Sequence, residues 1–383
     1  MFGRRISLFR LFGFSVRIDM SWLIIALLVT WTLASGYFPS SCQGLTTAVY
    51  WVMGLCGALG LFASVVFHEL CHSLAARLYG VSMKGITLFI FGGVAEMEEE
   101  PPSPQAEFVI AIAGPASSVL LALAFFLTHI VGGMLRLPQA VLGVVHYLAF
   151  INTALVIFNL IPGFPLDGGR ILRSALWRLK GNLRWATRIA SNVGAGFGMV
   201  LIILGVFHVL FGSFIAGMWW FLIGMFLRGA AHMSYQHLLI RRALLGETVR
   251  RFMTPDVVAA PSSITIEELV DDYIYRHHYK MFPVSRDGVL CGCVTTRQVR
   301  QIPREEWGRH TIEEIAEPCS DQNTIHPDDD AMRALSKMNR NQISRLLVTE
   351  GDVLVGIVSL KDLLGFLALK MELEGEEGEV PNL

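Results

Sequence analysis

"YWVMGLCGALGLFASVVFHELCH", residues 50–72, reads as a lipid-facing helix through Val66 and then sets two histidines and a glutamate at its end. Ionisable groups inside or at the end of a membrane span cost ~2.5–3.5 kcal/mol each on insertion scales, so they mark function. His68 and His72 are four apart; on a helix both imidazoles leave one face, with Glu69 beside them. This is the HExxH arrangement: two nitrogen ligands for zinc, and a carboxylate placed to take a proton from water. Zinc lowers the pKa of water to about 7, and Glu69 can accept that proton and later deliver it to a leaving amine.

Working outward, 53% of the 383 residues are hydrophobic and 16% are charged, the composition of a membrane protein. A spanning helix needs ~20 predominantly apolar residues, and segments 20–38, 47–67, 107–130, 140–161, 193–211 and 214–231 supply or approach that. Beyond about residue 240 no such stretch recurs, which leaves a soluble tail large enough for one or two small domains. The net charge of −1 argues against a nucleic-acid partner. The basic residues matter by position. Arg4, Arg5 and Arg10 precede the first span; Arg170, Arg173, Arg178, Lys180, Arg184 and Arg188 follow the fourth; Arg241 and Arg242 follow the sixth. By the positive-inside rule both termini are expected in the cytoplasm, with the first span retained rather than cleaved as a signal peptide. The six cysteines form no regular framework, and Cys291 with Cys293 is a weak metal signal. Free cysteine behaves as a small buried hydrophobe, and that is the reading adopted here.

A tetrahedral catalytic zinc needs a third protein ligand and an open position. The best candidate lies after the fourth span, in "FNLIPGFPLDGGR", residues 158–170. Asp167 falls where Pro162, Gly163 and Pro165 break the helix, and broken backbone at membrane depth survives only where protein or a wet cavity surrounds it. Spans two and four run in the same direction. His68, His72 and Asp167 are therefore expected at one depth, near the cytoplasmic face.

The two stretches together, "FHELCH" and "FNLIPGFPLDGGR", resemble the site-2 protease family of intramembrane zinc metalloproteases. The first motif is shared by many zinc peptidases; the second, after a later span, is far more specific. The resemblance covers roughly residues 15–235. It implies one zinc per chain on His68, His72 and Asp167, Glu69 as general base and acid, and cleavage within the transmembrane segment of single-span membrane proteins. It also implies that Asn159 stabilises the oxyanion or orients substrate; an interhelical hydrogen bond is the alternative for Asn159, and the favoured reading for Asn152. "GITLFIFGGVAEM", 85–97, is too short to span and reads as a strand or hairpin dipping back toward the metal, its edge offered to an unwound substrate, or else as a covering loop. "GPASS", 114–118, opens the third span with small residues; a Gly-Pro pair is common here in the family, and helix packing is its expected role. His129, His146 and His208 are read as isolated structural histidines, and Glu96, Glu98, Glu99 and Glu100 as a solvated loop.

From residue 247 short amphipathic helices alternate with strands, and the tail repeats itself: 265–299 and 329–364 each run helix, strand, turn, strand, helix. The pair resembles tandem cystathionine-β-synthase (CBS) domains, which often sense adenine nucleotides. The resemblance implies a nucleotide site (ATP, ADP or AMP) at Ser359 and Asp362, whose counterpart in the first repeat has Gln298 in place of the acid. An unliganded dimerisation platform is the alternative.

The expected architecture is a membrane all-α bundle of about six transmembrane helices with a short β or re-entrant segment, then a cytoplasmic α/β tandem CBS module. Its parts are a six-span domain 1–235, a linker 236–246, CBS modules 247–308 and 309–370, and a disordered acidic tail 371–383. The expected protein sits in the cell membrane, acts on single-span proteins in the bilayer and pairs as a homodimer through the CBS modules. The competing class is a CBS-regulated transporter or channel with His and Asp ion sites; a third possibility is a non-catalytic homologue, against which the intact ligands and base speak.

Overall fold

The computed structural model describes residues 5–89, 92–97, 100–244, 246–286, 289–351 and 353–374. Ile90, Phe91, Glu98 and Glu99, and the acidic end from 375, lie outside the described residues. The chain divides into two compact units between Gln236 and His237.

The first unit opens with a hairpin, β1 (Arg5–Leu11) and β2 (Phe14–Asp19), turned at Phe12 and Gly13, both at positive φ. Six helices long and apolar enough to cross a membrane are present among the described residues. The first two are α1 (Ser21–Ser41) and α2 (Thr47–Leu78). A second hairpin follows, β3 (Met83–Phe89) and β4 (Gly92–Met97). Then come α3 (Pro104–Met134), α4 (Gln139–Asn159), the shorter α5 (Asp167–Lys180), α6 (Leu183–Leu210) and α7 (Phe214–Leu244).

Two features were not foreseen from the sequence. Residues 5–19, ahead of the first span, form strands. The hairpins join as one sheet ordered β1-β2-β3-β4, with β2 and β3 parallel (Val16 opposite Ile86, Ile18 opposite Leu88). Phe14, Val16 and Ile18 alternate with polar residues and are buried, as a half-buried strand requires. Phe14 and Ile86 pack with Leu70 of α2, so the sheet rests on the helix that carries HExxH. Secondly, the helices outrun the apolar windows. α2 continues through its histidines to Leu78, and α3 begins at Pro104, because Ser103 caps it by accepting from the Ala106 N–H. Gly114-Pro115 therefore lies inside the third span, not at its mouth.

In the second unit the repeat is literal. β5 (Ala260–Pro261), helix α8 (266–277), β6 (Met281–Arg286) and β7 (Val289–Thr295) recur as β9 (Thr324–Ile325), α9 (Ala331–Asn341), β10 (Arg345–Glu350) and β11 (Val353–Ser359), with β8 (Glu317–Pro318) between and α10 (Leu360–Glu374) last. The sheets are ordered β5-β6-β7-β8 and β11-β10-β9. Their landmarks recur at a constant offset: bulges at Val284/Ser285 and Val348/Thr349, and left-handed helix ends at His278 and Gln342. Each half has its own core, around Ile266, Leu269, Phe282 and Val294 in the first and Ala334, Met338, Leu346 and Val358 in the second. Met281, Cys293 and Leu347 join them. All six cysteines are free, and burial pushes the Cys293 thiol up to about 12, the state of an inert core residue.

Candidate metal centre

On α2, Ser64, His68, His72, Ala75 and Ala76 form one buried stripe at helical spacing. His68 and His72 are each 4% exposed. Asp167 arrives from the other side, as the first residue of α5, after the chain has left α4 at Asn159 and crossed a tight loop. That loop is tied to α6 by the Phe164 N–H donating to the Ala190 carbonyl at 3.1 Å, and it contains a cis bond before Pro165. Gly169 sits against the backbone of Gly163 and Phe164, where no Cβ would fit, so the Asp-Gly-Gly run lets the loop fold onto the start of α5.

The three side chains converge. His68 Nε2 lies 3.0 Å and His72 Nε2 lies 3.1 Å from Asp167 Oδ2, and the two Nε2 atoms are 3.1 Å apart. The far ring nitrogens are held by α3: His72 Nδ1 is 2.6 Å from the Ile110 carbonyl and His68 Nδ1 is 2.9 Å from Ser118 Oγ. A carbonyl only accepts, so His72 carries its hydrogen on Nδ1 and, when neutral, turns an Nε2 lone pair inward. Electron-rich atoms are thus crowded at hydrogen-bond distance in a largely buried site, an arrangement a cation relieves. Two imidazole nitrogens and one carboxylate oxygen, with the histidines oriented by outer partners, match the donor set of a catalytic zinc. The residues fit the ion.

Glu69 is half-buried on the adjoining face of α2. Gly93 of β4 approaches it closely; a Cβ there would lie 2.9 Å from Glu69 Cγ and 3.0 Å from Val65 Cγ1. β4 therefore runs beside the candidate base, as an outer strand of its sheet. Asn159 is the half-buried last residue of α4, and its side chain makes no hydrogen bond among the described residues. Asn152, two turns earlier, is fully buried and donates to Ser64 Oγ at 3.1 Å and to the Leu148 carbonyl, joining α4 to α2.

Reading the sequence alone missed the contribution of α3. "GPASS" is more than close packing: a Cβ on Gly114 would fall on His72 Nε2 and 2.5 Å from His68 Nε2, while Ser118 holds His68. The signal was available as a small residue and a hydroxyl one helical turn apart (Gly114 and Ser118), but ordinary packing uses the same pattern, and Ile110 contributes only its backbone carbonyl. His129 donates to the Leu142 carbonyl and pairs with the His146 ring, and His208 donates to the Leu204 carbonyl.

In the second unit, Ser359 and Asp362 cap α10 reciprocally. Asp362 Oδ2 accepts from the Ser359 N–H at 3.0 Å and hydroxyl at 2.6 Å, and Ser359 Oγ accepts from the Asp362 N–H. Thr295 and Gln298 make the same box in the first repeat. The Ser-x-x-Asp pattern thus has a structural use of its own.

Among known proteins, the chain is 37% identical to the Mycobacterium tuberculosis protein named zinc metalloprotease Rip3, over 93% of this chain and 91% of that one. Residues 56–134 and 129–205 match the sequence pattern of peptidase family M50. This chain belongs to peptidase family M50, the site-2 proteases. Residues 249–305 and 312–369 match the CBS domain. The M50 chain also resembles the Synechocystis protein named zinc metalloprotease sll0528, at 35% identity over 89% of each chain. Among solved structures, the site-2 protease from Methanocaldococcus jannaschii aligns with 61% of this chain and 95% of its own at 27% identity, TM-score 0.43. The protein is therefore a multi-pass membrane metallopeptidase with a CBS pair, and the transporter alternative falls away.

Proposed function

We propose that the protein cleaves transmembrane segments of single-span membrane proteins, with His68, His72 and Asp167 holding one zinc ion. The observation that carries this reading is the meeting of two imidazole nitrogens and a carboxylate oxygen within 3.1 Å of one another. Zinc, when bound, acidifies the attacking water and polarises the scissile carbonyl. Glu69 takes the proton from that water and returns it to the leaving amine. Asn159 donates its side-chain N–H to the developing oxyanion. A helical peptide bond must be unwound before attack, and β4, an outer strand beside Glu69, offers main-chain hydrogen bonds to an extended substrate. Both termini lie in the cytoplasm, by the distribution of arginine and lysine among the loops. The CBS pair tunes activity through adenine nucleotide at Ser359 and Asp362, and through pairing of two copies.

The test is purified wild type, His68→Ala and Glu69→Gln incubated with candidate single-span proteins, with and without ATP. Wild type should hold one zinc and His68→Ala none. Glu69→Gln should keep its zinc and lose at least ~100-fold in cleavage rate. Retention of full cleavage by Glu69→Gln, or a folded wild type that never takes up metal, ends this reading.

A further inference from the structure

We infer that the buried ion pair between Arg173 and Glu107 is a positioning device for the metal carboxylate Asp167. The inference rests on reading His68, His72 and Asp167 as the metal ligands. Four buried positions on successive turns of α3 form one stripe: Glu107, Ile110, Gly114 and Ser118. Three of them serve the imidazoles directly. The Ile110 carbonyl holds His72 Nδ1, Gly114 backs both rings, and Ser118 meets His68 Nδ1. Glu107, at the head of the stripe, serves the third ligand at one remove.

Its Oε1 accepts from Arg173 Nε at 2.5 Å and also contacts Arg173 Nη2. Arg173 stands in the second turn of α5, the helix that Asp167 begins. The same guanidinium donates to Glu100 Oε2 at 3.1 Å and lies 5.1 Å from the centre of the Phe164 ring, in the loop that delivers Asp167. One side chain thus ties α5 and its loop to α3. Glu107 is 0% exposed and Arg173 is 6% exposed. Buried ion pairs are poor devices for stability, since well-packed apolar residues often do as well. What the planar guanidinium fork provides is register and direction. α3 therefore acts as a ruler: one stripe orients the imidazoles and sets how far α5 pushes Asp167 toward them.

The experiment uses the full-length protein in detergent: wild type, Arg173→Met, Arg173→Lys and Glu107→Gln. Three quantities are read: the zinc dissociation constant by chelator competition, the visible absorption of the cobalt(II)-substituted protein, and the thermal midpoint of the metal-free protein. Arg173→Met and Glu107→Gln should weaken zinc binding at least ~10-fold and alter the cobalt bands. Arg173→Lys, which keeps the charge and loses the fork, should recover only part of the affinity. Should Arg173→Met fail to fold, the other two variants decide by the same readouts. Zinc affinity and cobalt spectra within twofold of wild type in the folded variants would overturn the inference, as would a lowered metal-free midpoint with unchanged affinity. A wild type that takes no zinc sinks the metal centre itself, a result distinct from a wild type and variants that bind equally.

Discussion

At the residue scale, the centre depends on what is absent as much as on what is present. His68 and His72 are separated by one helical turn, so their shared face was readable from spacing alone. The hydrogen at Gly114 was not. Adding a methyl there drives a carbon into both imidazoles. Overpacking of this kind costs ~1–3 kcal/mol, and here the strain falls on the two imidazoles. Gly114→Ala should weaken zinc binding more than tenfold in a chelator titration while the chain still folds; unchanged affinity would show that the rings can step aside. Ser118→Ala tests the milder case. It leaves His68 Nδ1 without its partner, and a loss of ~10-fold in metal affinity is expected. The shared face of the two histidines was legible because helical spacing is a local property, whereas Gly114 and Ser118 act across a helix–helix contact that no local pattern identifies.

At the element scale, α5 carries information that apolar windows pass over. Fourteen residues beginning at Asp167 form an amphipathic helix ending at Gly181 in the left-handed conformation. The Pro- and Gly-rich stretch before it announced a break, and Asp167 was placed correctly at that break, but not the helix that follows. The N-terminal hairpin was hidden for a similar reason: its short alternating run adjoins a span, and its burial depends on β3, some seventy residues later, pairing with β2. In the CBS unit, one carboxylate is asked to serve two ends. Asp362→Ala removes the carboxylate half of the box that caps α10, leaving Ser359 Oγ on the residue 362 N–H, and should cost ~0.5–1 kcal/mol in denaturant unfolding. Asp362→Asn preserves an acceptor for the cap but not the charge. If the nucleotide proposal holds, the Asn variant should lose most ATP binding with little loss of stability; equal ATP affinity in wild type and Asp362→Asn would remove this residue from any nucleotide site.

At the scale of the whole molecule, the two units have separate cores, around Phe38, Met53 and Tyr147 in the first and Ala334, Met338 and Leu346 in the second, and units with their own cores are expected to unfold in separate cooperative transitions. A ligand that binds only the folded state of one unit raises only that unit's transition, by ~2.7 kcal/mol at a concentration of 100 dissociation constants. Calorimetry should therefore show zinc raising one transition and leaving the other in place. Movement of both by the same amount would mean the units unfold together. Composition, span count and the internal repeat were enough to establish a membrane bundle followed by a paired α/β module, because hydrophobic length and periodicity are properties of contiguous chain. The ligand spacing on α2 and the break before Asp167 were likewise written in short stretches. Only the folded chain decided that a stripe on α3 would meet both imidazoles and that Glu107, at its head, would pair with Arg173 on the helix that Asp167 begins. The distances that matter there lie between residues dozens of positions apart, and they exist only once the helices have packed.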